Sequence, residues 1–230
     1  MLQTRKTTEV EGDERQHINC NFMDIELLKK ESSFLGLIAL KCPLEKTLDC
    51  FSQLGWFNSE GWTIKKKCID SDTNVLKLLD LSVSTYNQPE TNIIWEPRST
   101  QGTTVFRTTS EDVHSALYNC LAKMDVECYL IRICNHKGYA AYTFERRKGD
   151  RKSVRCIQYI QDSPRSEFCI LGNPLPFENE SYYSRRFKKD RINADIIIEY
   201  MAALGWDMLD DSFWISDKQA YFEIREFTGC

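Results

Sequence analysis

Hydrophobic and polar positions alternate most regularly between residues 127 and 171, where four segments of strand character follow one another. These segments are Glu127–Cys134, Tyr139–Arg146, Ser153–Gln161 and Arg165–Leu171. Short connections rich in turn-forming residues separate them, as in Asn135-His136-Lys137-Gly138 and Asp162-Ser163-Pro164. Because parallel strands need a crossover of a dozen or more residues, these connections predict an antiparallel meander.

Apolar residues at helical spacing predict a small number of helices. One begins at Pro43 and ends at Gly55, and another runs from about Asn193 to Leu204. A third is expected from Ser110 to Met124, and a short one from Asp24 to Glu31.

Short apolar or alternating segments elsewhere predict further strands. They are Ser33–Leu40, Trp62–Ile64, Val75–Val83, Ile93–Glu96, Thr103–Arg107, Phe213–Ser216 and Tyr221–Phe227. Together the elements predict an α+β fold, in which a few helices cover an antiparallel sheet meander. Residues 1–22 are polar and aperiodic and are expected to form a loose leader, followed by one domain over 23–230 with a subdivision near 98–110 as an alternative.

The tripeptide Leu-Gly-Trp occurs twice, at the ends of two predicted helices. It stands at residues 54–56 and 204–206, and each copy precedes another tryptophan, Trp62 or Trp214. Two similar helix–strand units would explain this repeated tripeptide, and so would a shared helix C-cap in which glycine supplies the left-handed turn. The match is short, which favours the shared cap.

Composition narrows the class of protein without choosing a function. The chain has 230 residues, 42% of them hydrophobic, and a formal net charge of -4. These values exclude a disordered or fibrous chain and give no general signal for nucleic-acid binding. No stretch approaches 18 consecutive apolar residues, so we expect no transmembrane helix.

Ten cysteines are unusual for this length. The first residues contain no apolar region of the kind that a signal peptide needs, and many cysteines lie among apolar neighbours. We therefore expect reduced thiols in a cytoplasmic protein, with Cys230 the one that oxidises most readily.

Motifs for chemistry are scarce. The three histidines have no metal-ligand spacing, and Cys-x-x-Cys, phosphate-binding loops and hydrolase motifs are missing from the sequence. We expect neither a metal nor a cofactor. An enzyme with a carboxylate site, or with Cys134 and His136, stays open as an alternative.

Charge is concentrated on predicted loops. One basic run contains Arg146 and Arg147, and a second contains Arg185 and Arg186 beside two tyrosines. Basic and aromatic residues together are typical of protein interfaces and of contacts with phosphate. A protein partner is the preferred interpretation, and a nucleic-acid accessory role is the less favoured one. The acidic candidates for contact with a basic partner are Glu178, Glu180, Asp207, Asp210 and Asp211.

The segment Glu167–Trp206 resembles small immunity proteins of bacterial polymorphic-toxin systems. The shared features are a strand, the loop Gly172-Asn173-Pro174-Leu175-Pro176-Phe177-Glu178, a basic patch and a closing amphipathic helix. The resemblance implies a stoichiometric inhibitor that binds a cognate toxin in interbacterial competition. It assigns no binding residue, and the oligomeric state stays open.

Overall fold

Nine antiparallel strands form one sheet in the computed structural model, which describes residues 33–53, 62–78, 90–108, 123–149 and 154–227. The strands are β1 (Ser33–Leu40), β2 (Trp62–Ile69), β3 (Glu90–Trp95), β4 (Thr104–Thr108), β5 (Cys128–His136), β6 (Tyr139–Arg147), β7 (Arg155–Asp162), β8 (Arg165–Leu171) and β9 (Ala220–Phe227). Their order in the sheet is β2-β9-β3-β4-β1-β5-β6-β7-β8. The predicted α+β class is confirmed, with more sheet than helix.

The predicted meander is the half of the sheet formed by β5 to β8. Each strand pairs with the next in an unbroken register, from Cys128 opposite Arg147 to Asp162 opposite Arg165. The short turns keep sequential strands adjacent, as expected for antiparallel hairpins. Strand β8 is therefore the last strand on this side of the sheet.

Helix α2 (Ala194–Ala203) covers one face of the sheet. Asn193 caps it by accepting a hydrogen bond from the Ile196 amide at 3.1 Å, and Ile197, Tyr200 and Met201 are fully buried. These side chains pack with Leu35, Leu37, Ile131, Phe144 and Ile157 of the sheet. This larger core is called the α2 face.

Helix α1 (Leu44–Gln53) belongs to the opposite face. Its Cys50 and Phe51 pack with Ile38, Leu40 and Phe106 of the sheet. Residues next to these three in the sequence point into the α2 face instead. Side chains alternate along a strand, so apolar residues at both parities bury both faces of the central strands. The sequence of β1, Ser-Phe-Leu-Gly-Leu-Ile-Ala-Leu, is apolar on both sides for this reason.

Two predicted strands were wrong. Residues 75–78 of the segment Val75–Val83 form a short 3-10 helix, and Asp211–Phe213 forms another where Phe213–Ser216 was expected to be extended. A hydrogen bond of 2.8 Å from the Val75 amide to the Trp214 carbonyl joins the two segments. Their apolar side chains pack into the core although the backbone forms turns. In the sequence, such a short apolar segment has the same pattern as a buried strand.

Several predictions fall outside the described residues. They concern the leader over residues 1–22, the helix Asp24–Glu31, the first Leu-Gly-Trp at 54–56 and most of the helix from Ser110 to Met124. At the second Leu-Gly-Trp, Gly205 directly follows Leu204, the C-cap residue of α2, and has a φ of +84°. That left-handed conformation agrees with the interpretation as a helix C-cap.

Candidate functional site

The proline-rich loop after β8 is fastened to the sheet by Glu178. Its carboxylate accepts hydrogen bonds from Arg155 Nε at 2.9 Å and Arg155 Nη2 at 2.5 Å, and from the Leu175 amide at 3.0 Å. The Arg155 side chain is 3% exposed and that of Glu178 is 0% exposed. Arg155 also donates to the Gly172 carbonyl at 2.7 Å. The loop is thus held at both ends by one guanidinium.

Gly172 allows the close approach that this arrangement needs. Its φ is +80°, and a Cβ placed on it would lie 2.0 Å from the Val154 carbonyl oxygen. A side chain at this position would push the loop away from strand β7. The glycine of the proline-rich loop therefore has a structural reason in this fold.

Two tyrosines extend the contacts of Glu178 to the helix. Tyr183 donates a hydrogen bond of 2.6 Å to the carboxylate, and its hydroxyl lies 2.9 Å from the hydroxyl of Tyr200 in α2. Burial raises the pKa of Tyr183 strongly, and its hydrogen bonds to Glu178 and Tyr200 raise it further. The tyrosine stays a neutral donor, which positions the short 3-10 helix Glu180–Ser184 and the chain that follows it.

The basic segment, residues 185–191, follows the 3-10 helix Glu180–Ser184. Arg185 stacks over the Tyr182 ring at 4.1 Å and donates to the Asp190 carbonyl at 2.8 Å. Arg191 lies over the Phe168 ring of β8 at 5.2 Å. Rings and backbone carbonyls therefore hold these two guanidinium groups in place, and neither forms a salt bridge with a carboxylate of the described residues.

The basic segment also touches strand β8 directly. Lys188 Nζ donates a hydrogen bond of 2.8 Å to the Ser166 carbonyl. Next to it, the Phe187 side chain is 56% exposed, and Arg186 lies over its ring at 5.3 Å. An exposed aromatic ring among cations is the side-chain combination that often anchors protein interfaces.

The charge of the basic segment is not compensated within the described part of the chain. Five of its seven residues are Lys or Arg and one is Asp. Across the ranges that the structure describes, no salt bridge links any of these five side chains to a carboxylate. Cations left without a counter-ion raise the local potential and attract an acidic partner.

The first basic run differs in this respect. Arg146 donates to Glu127 at 3.0 Å and 2.5 Å, and Arg147 forms an ion pair with Glu145. Lys41 adds a second cation at 2.6 Å from Glu127. Arg146 and Arg147, which the sequence made equal candidates with Arg185 and Arg186, are thus each paired with a carboxylate, Arg146 with Glu127 just before β5 and Arg147 with Glu145 of its own strand.

The acidic residues considered for partner contact also differ in what they bind and in how exposed they are. Glu178 is buried by Arg155 and serves the loop, whereas Glu180 is exposed. Asp207 and Asp210 accept hydrogen bonds from the amides of Leu209 and Ser212, so both close turns after α2. Asp211 accepts from the Asn74 amide group at 3.3 Å.

Residues considered for catalysis or metal binding are not assembled into a site. Cys134 is buried with Phe34 and Ala141, and His136 is exposed with its Nδ1 3.1 Å from the Lys137 carbonyl. Over the residues with a described placement, no group of three or more His, Cys, Asp or Glu side chains is arranged to hold a metal ion.

Comparisons with protein-family models, with curated proteins and with solved structures found no match for this chain. None of the described helices is both long and apolar enough to cross a membrane.

The contrast between the two basic runs depends in part on which strands are neighbours. Sequence alone shows the two runs as similar, because Glu127, which pairs with Arg146, stands 19 residues away along the chain.

Proposed function

We propose that this protein is a cytoplasmic immunity-type inhibitor that binds a cognate bacterial toxin with defined stoichiometry and blocks its activity. The basic segment, residues 185–191, is the centre of the binding surface. The proposal extends the sequence resemblance over Glu167–Trp206, which covers the loop, the basic segment and helix α2.

The observation that carries the proposal is the uncompensated charge of the basic segment next to an exposed ring. Arg185 lies over the Tyr182 ring and Arg186 over the Phe187 ring, and more than half of the surface of Phe187 is exposed. Positioned cations around an apolar anchor favour rapid and specific association with an acidic protein surface.

A protein partner is preferred to a nucleic acid because the neighbouring surface is apolar. Ile170 and Leu171 of β8 are 40% and 57% exposed, in addition to Phe187. A nucleic-acid site of this kind would be expected to surround the cations with further basic and polar groups that follow a phosphate backbone. Binding to nucleic acid is therefore an outcome of the test and not part of the proposal.

The test is co-expression of this chain with the protein products of the genes adjacent to its own. We expect one of them to be toxic when it is expressed alone, to be neutralised by this chain, and to form a complex whose mass is measured by light scattering. Arg185→Glu with Arg186→Glu should weaken that complex at least about tenfold, because both cations become anions.

The matched control is Lys137→Glu with Lys148→Glu, which changes the net charge equally at two other exposed positions. This control should leave affinity within about threefold, the effect of a distant surface charge. Failure of every adjacent product to bind would overturn the proposal. So would equal weakening by the two double variants, or tight binding of duplex or single-stranded nucleic acid at 0.15 M salt.

A further inference from the structure

Strand β8 forms one edge of the described sheet, and its outward backbone groups beyond Ser166 have no hydrogen-bond partner within the described ranges. Among the described strands it pairs with β7 only, over seven residues from Arg165 to Leu171. The Ser166 carbonyl points away from β7, because it accepts the hydrogen bond from Lys188 Nζ. Backbone groups alternate in direction along an antiparallel strand, so the N–H and C=O groups of Phe168 and Ile170 also point outward.

The two edges of the sheet are protected differently. At the other edge, β2 carries exposed Lys65 and Lys67, and lysine is a residue that discourages further strand pairing. The second half of β8 carries Ile170 and Leu171, whose side chains are 40% and 57% exposed. An apolar edge strand without charge in its second half is a template for another strand.

We propose that an extended acidic segment of the partner protein pairs with the outer side of β8 as a tenth strand. This inference rests on the proposed function and specifies how the partner docks. The Ser166 carbonyl already accepts a hydrogen bond from Lys188. The added strand therefore lies against Phe168 and Ile170 and continues towards Gly172. Backbone hydrogen bonds supply affinity, and the apolar side chains of the edge contact alternate residues of the added strand.

Charge selects the chemistry of the added strand. The basic segment is attached to β8 through the Lys188–Ser166 hydrogen bond and the stacking of Arg191 over Phe168, so its cations border the same edge. Carboxylates on the added strand would therefore lie close to cations that have no carboxylate partner among the described residues.

A second copy of this chain suits the edge less well. Two β8 strands related by a two-fold axis would bring two basic segments to one shared ladder, because such an interface uses the same surface twice. The five cations of each copy would repel those of the other. An acidic segment of another protein meets no such repulsion.

The experiment uses the full chain and a synthetic probe, a blocked heptapeptide in which glutamate alternates with valine. Amide hydrogen exchange, followed by NMR, reports on each residue of β8. We expect exchange of the Phe168 and Ile170 amides to slow at least about tenfold at saturating peptide, because each gains or adjoins a new hydrogen bond. The inward amides of Glu167 and Cys169 serve as internal references, since the β7 ladder already protects them.

Ile170→Pro removes one outward N–H, and an edge strand tolerates proline at such a position. Ile170→Val is the matched control because it keeps the N–H and a branched apolar side chain. We expect the proline variant to lose at least about tenfold in affinity for the peptide and the valine variant to bind as the parent does. Exchange in the unsubstituted chain decides the question if the proline variant fails to fold.

The inference is overturned if the acidic peptide leaves exchange in β8 unchanged, or if a lysine–valine peptide binds equally well. It is also overturned if the chain forms dimers that Ile170→Pro abolishes, since the occupant is then a second copy. If an adjacent gene product binds through Arg185 and Arg186 while the peptide gives no protection, the pairing inference fails and the proposed function stands.

Discussion

The guanidinium of Arg155 and the carboxylate of Glu178 form a buried ion pair that joins the start of β7 to the proline-rich loop after β8. The closest contact is 2.5 Å, and the two side chains are 3% and 0% exposed. Arg155 reaches two further carbonyls, those of Leu171 and Gly172. A buried pair of this kind fixes geometry more than it adds net stability, because desolvation offsets much of the attraction.

Replacing Glu178 with glutamine should destabilise the protein by about 3–5 kcal/mol, because Arg155 is left charged and buried without its carboxylate. Urea unfolding measures the change. Glu180→Gln, two residues away and exposed, is the control and should stay within about 0.5 kcal/mol. Arg155→Met combined with Glu178→Leu should cost less than either single change. A Glu178→Gln effect as small as that of the control would contradict the assigned role.

Glu127 should make stability depend on pH in the acid range. Burial opposes its charge, but hydrogen bonds from Lys41, Arg146 and Tyr129 outweigh burial and lower its pKa from 4.5 to about 2. A carboxyl whose pKa is lower in the folded state stabilises the protein above its unfolded pKa. That contribution, about 1–3 kcal/mol, is lost as the pH falls from about 4.5 through about 2.

The measurement for Glu127 compares the parent with Glu127→Gln by urea unfolding between pH 7 and pH 2. The stability difference should be largest above pH 5 and should shrink steadily below that. Glu167→Gln, an exposed carboxylate of β8, serves as the control and should show a small difference at every pH. A gap between parent and Glu127→Gln that is constant from pH 7 to pH 2 would refute the prediction.

Trp214 should be among the most sensitive core positions. Its indole Nε1 donates to the Met208 carbonyl at 2.9 Å, and its ring stacks with Trp95 at 5.8 Å. Trp214→Phe removes the donor, leaves a buried carbonyl unpaired and opens space beside Trp95. We expect a loss of about 2–4 kcal/mol in the free energy of unfolding. An unchanged midpoint in urea would show that the turn after α2 repacks freely.

Thiol labelling should sort the described cysteines by their position in the sheet. Cys68 and Cys169 are exposed, whereas Cys42, Cys50, Cys128 and Cys134 are buried. Burial raises the pKa of Cys128 and Cys156 to about 12, so both thiols stay protonated and unreactive near neutral pH. Iodoacetamide followed by mass spectrometry should modify Cys68 and Cys169 first. Fast modification of Cys128 in the folded protein would contradict the structure.

The local strands were readable from sequence because each has a clear pattern and a clear boundary. Ser33–Leu40 was predicted with its observed bounds, and the four strands of the meander were predicted to within two residues at every boundary. Alternation and turn residues are properties of neighbouring positions, which a sequence displays directly.

Long-range features were not readable in the same way. Val75 begins one 3-10 turn and Trp214 directly follows another, and no local pattern distinguishes such turns from short buried strands. The difference between the two basic runs has the same origin. Arg146 is neutralised by Glu127, which directly precedes the adjacent strand β5, and only the strand register reveals that the two residues meet.

The position of β9 has a consequence for how the chain acquires its structure. This strand lies between β2 and β3, and Ala220 pairs with Ile69. Within the described sheet, β2 has β9 as its sole neighbour, so β2 stays without a partner until the distant C-terminal part of the chain has been synthesised. The meander β5–β8 has no such delay, because each of its hairpins closes locally. On a ribosome, β2 would therefore join the described sheet only after the meander that leads to the basic segment has been synthesised.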